Sequence, residues 1–109
     1  MSNVKHLETT VQRVLTEILR NEVKEDLGFM TVTEVKITNE LSYMYVYYTV
    51  FGDEKKQEKT QRALDRANGF IKNSIAHRVK MRKVPELVFK YDESYQKGRR
   101  IDDLISTIK

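Results

Sequence analysis

Tyr43-Met44-Tyr45-Val46-Tyr47-Tyr48-Thr49-Val50-Phe51 is the stretch that decides the fold. Side chains of an extended chain point alternately to opposite faces. Met44, Val46, Tyr48 and Val50 therefore share one face, and Tyr43, Tyr45, Tyr47, Thr49 and Phe51 share the other. A run so rich in aromatic and β-branched residues reads as a strand, ended by Gly52-Asp53. Upstream, Phe29 to Thr38 is also β-branched and alternating, as in a half-buried strand. Asn39-Glu40-Leu41-Ser42 between the two reads as a short hairpin connection.

Outward from this hairpin the periodicity becomes helical. Val4, Leu7, Val11, Val14, Leu15, Ile18 and Leu19 recur at spacings of three and four, one apolar stripe on a helix of about six turns. Ser2 or Asn3 can cap its start, and Gly28 is the expected terminator. Downstream, Glu54 to Asn68 reads as a helix with a sparse apolar side of Ala63, Leu64 and Ala67. Gly69 interrupts it, and Phe70, Ile71, Ile75 and Val79 resume the stripe to about Arg82. Pro85 disfavours helical geometry at Val84 and should end this second stretch. Leu87, Phe89 and Tyr91 then alternate as a third strand, and Ile101, Leu104, Ile105 and Ile108 suggest a short, frayed C-terminal helix. Two hairpin strands, an αα crossover and a third strand make an α+β domain, a three-stranded sheet with helices packed on it.

The chain has 109 residues, 39% hydrophobic and 33% charged, which suits one domain spanning 1–109 with one modest core. Residues 92–109 form a C-terminal segment expected to be flexible. The absence of cysteine excludes disulfides and thiolate metal sites. No apolar run approaches the ~20 residues that cross a bilayer, and no apolar h-region follows the N-terminus. A cytoplasmic protein with no membrane partner is the expectation.

Net charge is +4, and its distribution is uneven. Residues 69–91 hold six bases against one acid, Glu86, a net of +5, while the remaining segments sum to −1. On a helix from Phe70 to Lys83, Lys72, Lys80 and Lys83 would fall within a ~80° wedge, with Arg78 and Arg82 one turn apart. Like charges at that spacing repel, so an external polyanion is an economical explanation. A solvated helix face, its last bases favoured by the helix dipole, is the bland alternative. Arg62 and Arg66, one turn apart, could extend the basic surface. Ala67-Asn68-Gly69 reads as an ordinary helix–helix turn, or as a kink with free N–H groups beyond it. The aromatic strand face could stack bases, but a structural role is favoured because its charge is so low.

Catalysis finds little footing. His6 and His77 follow no ligand spacing, and no phosphate-binding or nucleophile motif is present. The acid pairs Glu25-Asp26, Asp92-Glu93 and Asp102-Asp103 lie beside expected helix ends. A nuclease would need a carboxylate cluster that the sequence does not offer, so a non-enzymatic binder with no cofactor and no metal is expected. A module docking an acidic protein partner is the alternative.

Four passages in order resemble the ribosome-binding factor A family over nearly the whole chain. They are Leu27-Gly28-Phe29-Met30-Thr31-Val32-Thr33-Glu34-Val35; Asn39-Glu40-Leu41-Ser42 with Val46-Tyr47-Tyr48-Thr49-Val50; Ala67-Asn68-Gly69-Phe70-Ile71-Lys72; and Arg78-Val79-Lys80-Met81-Arg82 through Val84-Pro85-Glu86-Leu87-Val88-Phe89 to Asp92-Glu93-Ser94, Gly98 and Ile101. The resemblance implies a KH-like fold of type II, α-β-β-α-kink-α-β, with Ala67, Asn68 and Gly69 as the kink. It implies a monomer that binds the free small (30S) ribosomal subunit and its 16S rRNA and supports 5′-end maturation, notably in the cold, without catalysis. Binding would hold rRNA in an immature arrangement, and assembly GTPases or ribosomal proteins are further partners to consider. Lys72, Arg78, Lys80, Arg82, Lys83, Arg62 and Arg66 are then the candidate RNA-binding residues. Family members often carry arginines early in the first helix, where Lys5 and His6 stand here.

Overall fold

A computed structural model describes residues 2–93. The element order is α1 (Ser2–Asn21), β1 (Met30–Ile37), β2 (Tyr43–Val50), α2 (Glu54–Arg78) and β3 (Glu86–Tyr91). β2 is the middle strand of a mixed sheet ordered β1-β2-β3, antiparallel to β1 and parallel to β3. Parallel neighbours need a long crossover, and α2 supplies it. This is the KH-like α+β arrangement expected. The C-terminal helix expected over 101–108 lies outside the described residues.

The two-faced reading of β2 holds. Met44, Val46 and Tyr48 are fully buried against the helices, and Tyr43 on the opposite face is 45% exposed. Both helices pack on one face of the sheet. α1 contributes Val11, Leu15 and Ile18 to the core, and α2 contributes Leu64, Ile71 and Ile75. No described element covers the other face, where Tyr43 and Tyr45 stack at 5.8 Å and the Lys90 Nζ lies 5.0 Å from the Tyr45 ring centre.

The helices also close both edges of the sheet. On β1, the Ile37 N–H donates to Glu8 Oε2 at 2.8 Å, and Gln12 Nε2 donates to the Val32 carbonyl at 3.4 Å. On β3, Asn68 Nδ2 donates to the Leu87 carbonyl at 2.9 Å, and Gln61 Nε2 to the Phe89 carbonyl at 3.4 Å. Open strand edges invite pairing with other chains, and these side chains occupy outward-facing ladder groups. Glu8 and Gln12 are one helical turn apart, Gln61 and Asn68 two, so each pair projects from one side of its helix.

Two expected boundaries are corrected. Gly28 does not end α1, which stops at Asn21. Instead Gly28, at φ +64°, turns the connecting loop into β1, and its N–H donates to Asp26 Oδ1 at 3.1 Å. The stretches on either side of Gly69 are one unbroken helix, and α2 ends at Arg78 rather than near Arg82. Val79 is extended (φ −117°, ψ 121°) and buried, so the chain leaves the helix there to bring Pro85 and β3 into the core. Any kink at Ala67-Asn68-Gly69 is therefore a bend within one helix, not a break.

Candidate nucleic-acid interface

The early end of α2 removes the shared wedge expected of Lys72, Lys80 and Lys83. Lys72 sits on the helix, with Lys80 and Lys83 in the linker that follows it. Three of the candidate bases are also neutralised within the molecule. Lys72 Nζ lies 3.0 Å from Glu86 Oε1. Arg78 bridges two carboxylates of the α1 end, Glu17 at 3.3 Å and Glu22 at 2.7 Å. Arg66 Nη2 lies 2.9 Å from Glu25 Oε1, and this hydrogen bond holds the Glu25 carboxyl below its usual range and the guanidinium above its own. The carboxylates come from other segments, 14 to 61 residues away. A charge count along the chain registers Glu86 but does not show which base each acid meets.

The central triplet of α2 also has structural duties. Ala67 is buried in the core, and the Asn68 amide is spent on β3. Gly69 is exposed, and a Cβ there would meet nothing within 4 Å. Arg62 is exposed and takes part in no ion pair among the described residues.

Of the candidate bases, those left without a carboxylate are Arg62 on α2 and a group of three at one end of the fold. Lys80, Arg82 and Lys83 are exposed and engage no carboxylate among the described residues. Their linker runs beside the first turns of α1 and the β1–β2 hairpin, and the three segments line a groove of about 550 Å³. Exposed His6, Asn39, Lys80 and Arg82 give it polar sides, and Leu7, Leu41 and Met81 pack its apolar part against the core. Lys80 directly follows the helix end, where the partial negative charge of the last carbonyls favours a cation. Arg82 and Lys83 lie beyond that turn and have no such internal reason. Acids at this end are Glu40 in the hairpin and Glu8, whose carboxylate is held by the Ile37 N–H.

The hairpin is locally pinned. Thr38 Oγ1 accepts from the N–H groups of Ser42 (2.9 Å) and Tyr43 (3.0 Å), and the Leu41 N–H donates to the Thr38 carbonyl at 2.9 Å. Leu41 takes a left-handed φ of 61° and buries its side chain. That geometry costs a non-glycine residue about 1–2 kcal/mol. Burial of a leucine side chain, worth roughly 1.5–3 kcal/mol, offsets it.

His6 and Asn39 were not among the candidate residues. They stand 74 and 41 positions from Lys80, and no spacing rule joins them. Only the position of α1 against the hairpin and the linker brings them together.

Comparison with known proteins follows the same lines. The family model described as ribosome-binding factor A matches residues 3–105. The chain belongs to the ribosome-binding factor A family. Ribosome-binding factor A of Macrococcus caseolyticus is 43% identical over 99 residues, covering 90% of this chain and 87% of that one. The Staphylococcus carnosus protein of the same name is 42% identical over 99 residues, with 90% and 86% covered. Among solved structures, the crystal structure of ribosome-binding factor A from Thermus thermophilus matches with a TM-score of 0.72 and 33% identity, covering 81% of this chain and 94% of that one. A homology model of the Thermus thermophilus factor, fitted into a cryo-electron microscopy map of a 30S complex of that factor, matches with a TM-score of 0.66 and 33% identity over 79% of this chain and 91% of that one. Members of the ribosome-binding factor A family are named as binding factors, not as enzymes.

Proposed function

We propose that this protein binds the small ribosomal subunit during its assembly and contacts its 16S rRNA through the end of the fold formed by Lys80, Arg82 and Lys83. The observation that carries this is the grouping of three exposed, internally uncompensated cations in one linker, while Lys59, Arg66, Lys72 and Arg78 of α2 are tied to carboxylates. Phosphate oxygens accept charge-assisted hydrogen bonds from such groups, and release of condensed counterions adds to the affinity. His6, on the first turns of α1, lines the same groove as Lys80 and Arg82, and exposed Lys5 precedes it in the chain. Arg62 is a separate cation available to a large partner. Lys72, Arg66 and Arg78 act first as struts between elements and contribute to RNA only where a phosphate displaces their carboxylates.

Contact with a folding subunit needs no chemistry from the protein. Binding holds an rRNA arrangement, favours maturation of the 5′ end, and matters most in the cold, where misfolded RNA escapes slowly. A Lys80/Arg82/Lys83→Glu triple variant tests the reading by cosedimentation with purified small subunits and with naked 16S rRNA. Loss of the variant from both pellets, with an unchanged circular dichroism spectrum, is expected. Full retention of the variant on the subunit would remove the linker from the interface. Binding to the subunit without any binding to naked rRNA would favour a ribosomal protein as the partner.

A further inference from the structure

We propose that the groove between the first turns of α1, the β1–β2 hairpin and the 80–83 linker takes one unpaired base of single-stranded RNA. The inference rests on the proposed RNA-binding function and names the form of RNA that this end of the fold selects. The groove has about 550 Å³ of space, within the range of small-ligand sites. Its inner side is apolar, formed by partly or fully buried Leu7, Leu41 and Met81. Asn39 and Arg82 stand on its exposed sides, with Lys80 beside Arg82.

Each part fits a different part of one nucleotide. An unstacked base has two apolar π-faces, which rest on aliphatic surface or on a guanidinium plane. Its edges carry donors and acceptors, and the Asn39 amide offers one acceptor oxygen and two N–H donors. The attached phosphates are anionic, and Lys80 and Arg82 have no carboxylate of their own among the described residues. No acid lines the groove. A base within an A-form duplex is stacked and paired, so it cannot enter. A duplex could meet the cations only through its backbone.

The turn that carries Asn39 is fixed before any ligand arrives. Thr38 accepts three hydrogen bonds across it, two through its hydroxyl and one through its carbonyl. Leu41 holds a left-handed backbone while its side chain is buried. The amide is therefore presented on a pinned loop, which lowers the ordering cost of a specific contact.

Fluorescence anisotropy on the full chain tests this. The probe is a ten-nucleotide RNA of mixed sequence with a 5′ fluorophore, used single-stranded and annealed to its complement at one salt concentration. Arg82→Lys keeps the charge and removes the planar stacking surface. Asn39→Ala removes the edge contact, and both positions are exposed, so the fold stays intact by circular dichroism. The expected result is single-strand binding at least tenfold tighter than duplex binding. Each variant should weaken single-strand binding by about fivefold or more, and Asn39→Ala should leave duplex binding unchanged. Equal affinity for both RNAs, insensitive to both substitutions, overturns the base groove and leaves the phosphate-binding reading standing. Absence of binding to either RNA overturns both.

Discussion

Removing Lys80, Arg82 and Lys83 together should flatten the salt dependence of RNA binding, whereas removing Lys72 and Arg78 should not. Each phosphate neutralised contributes a log–log slope of about −0.7 on single-stranded and about −0.9 on duplex nucleic acid. Three contacts therefore give roughly −2 to −2.7. Raising monovalent salt fourfold, from 0.05 to 0.2 M, should then weaken the wild-type protein roughly 20- to 40-fold. The Lys80/Arg82/Lys83→Ala protein should lose nearly all of that dependence. Lys72 and Arg78 already sit against Glu86, Glu17 and Glu22, so a phosphate must displace a carboxylate to reach them. Their replacement by alanine should leave the slope within about 0.5 of wild type and show instead in thermal unfolding, since Arg78 joins α2 to α1. Anisotropy titrations at four or five salt concentrations give the slopes directly. A triple variant that keeps the wild-type slope, or a Lys72/Arg78 variant that flattens equally, would refute the division between compensated and uncompensated bases.

Other outcomes follow from single side chains. Gly69→Ala should stabilise the protein by about 0.5–1 kcal/mol in denaturant titrations, because the site is helical, exposed and open to a Cβ; destabilisation would show that α2 needs a glycine backbone there. Burial pushes the Tyr48 phenol up to about 12, so the folded state holds its proton after the unfolded chain has lost it. Stability is fully present below about pH 10 and declines by an amount on the order of 2–3 kcal/mol as pH rises towards 12; Tyr48→Phe should lose that component in paired melts across this window. Asn68→Ala leaves the Leu87 carbonyl without its side-chain donor and should cost about 1 kcal/mol while increasing self-association on heating. Light scattering during a thermal ramp checks the latter, and an unchanged onset would mean that the β3 edge is protected by other means.

The aromatic face of β2 illustrates how a structural reading and a binding reading divide. Its order in sequence makes it a strand whatever else it does. Lys90 stands over Tyr45, and Lys36 lies opposite Tyr45 in register while pairing with Glu34 at 3.6 Å. The face is open among the described elements, yet its cations are already engaged. The groove at the hairpin end has the reverse character, with little aromatic surface and cations that lack partners. That contrast favours the hairpin end over the tyrosines for the RNA contact proposed above.

Sequence alone determined the elements and their inward faces. The alternation of Met44, Val46 and Tyr48 and the helical stripe of Val11, Leu15 and Ile18 are local patterns with local physical causes. They carried the α+β order, the burial of β2 and the family resemblance. Tertiary structure decided the charge. Whether a lysine is free depends on carboxylates that folding brings near, and Glu17, Glu22, Glu25 and Glu86 reach their bases from 14 to 61 residues away. Tertiary structure also decided where α2 stops, because the buried Val79 and Pro85 turn the chain into the core before the expected last turn can form. Helical periodicity is set within a few residues, whereas electrostatic compensation acts through space, so one was legible in the linear order and the other was not.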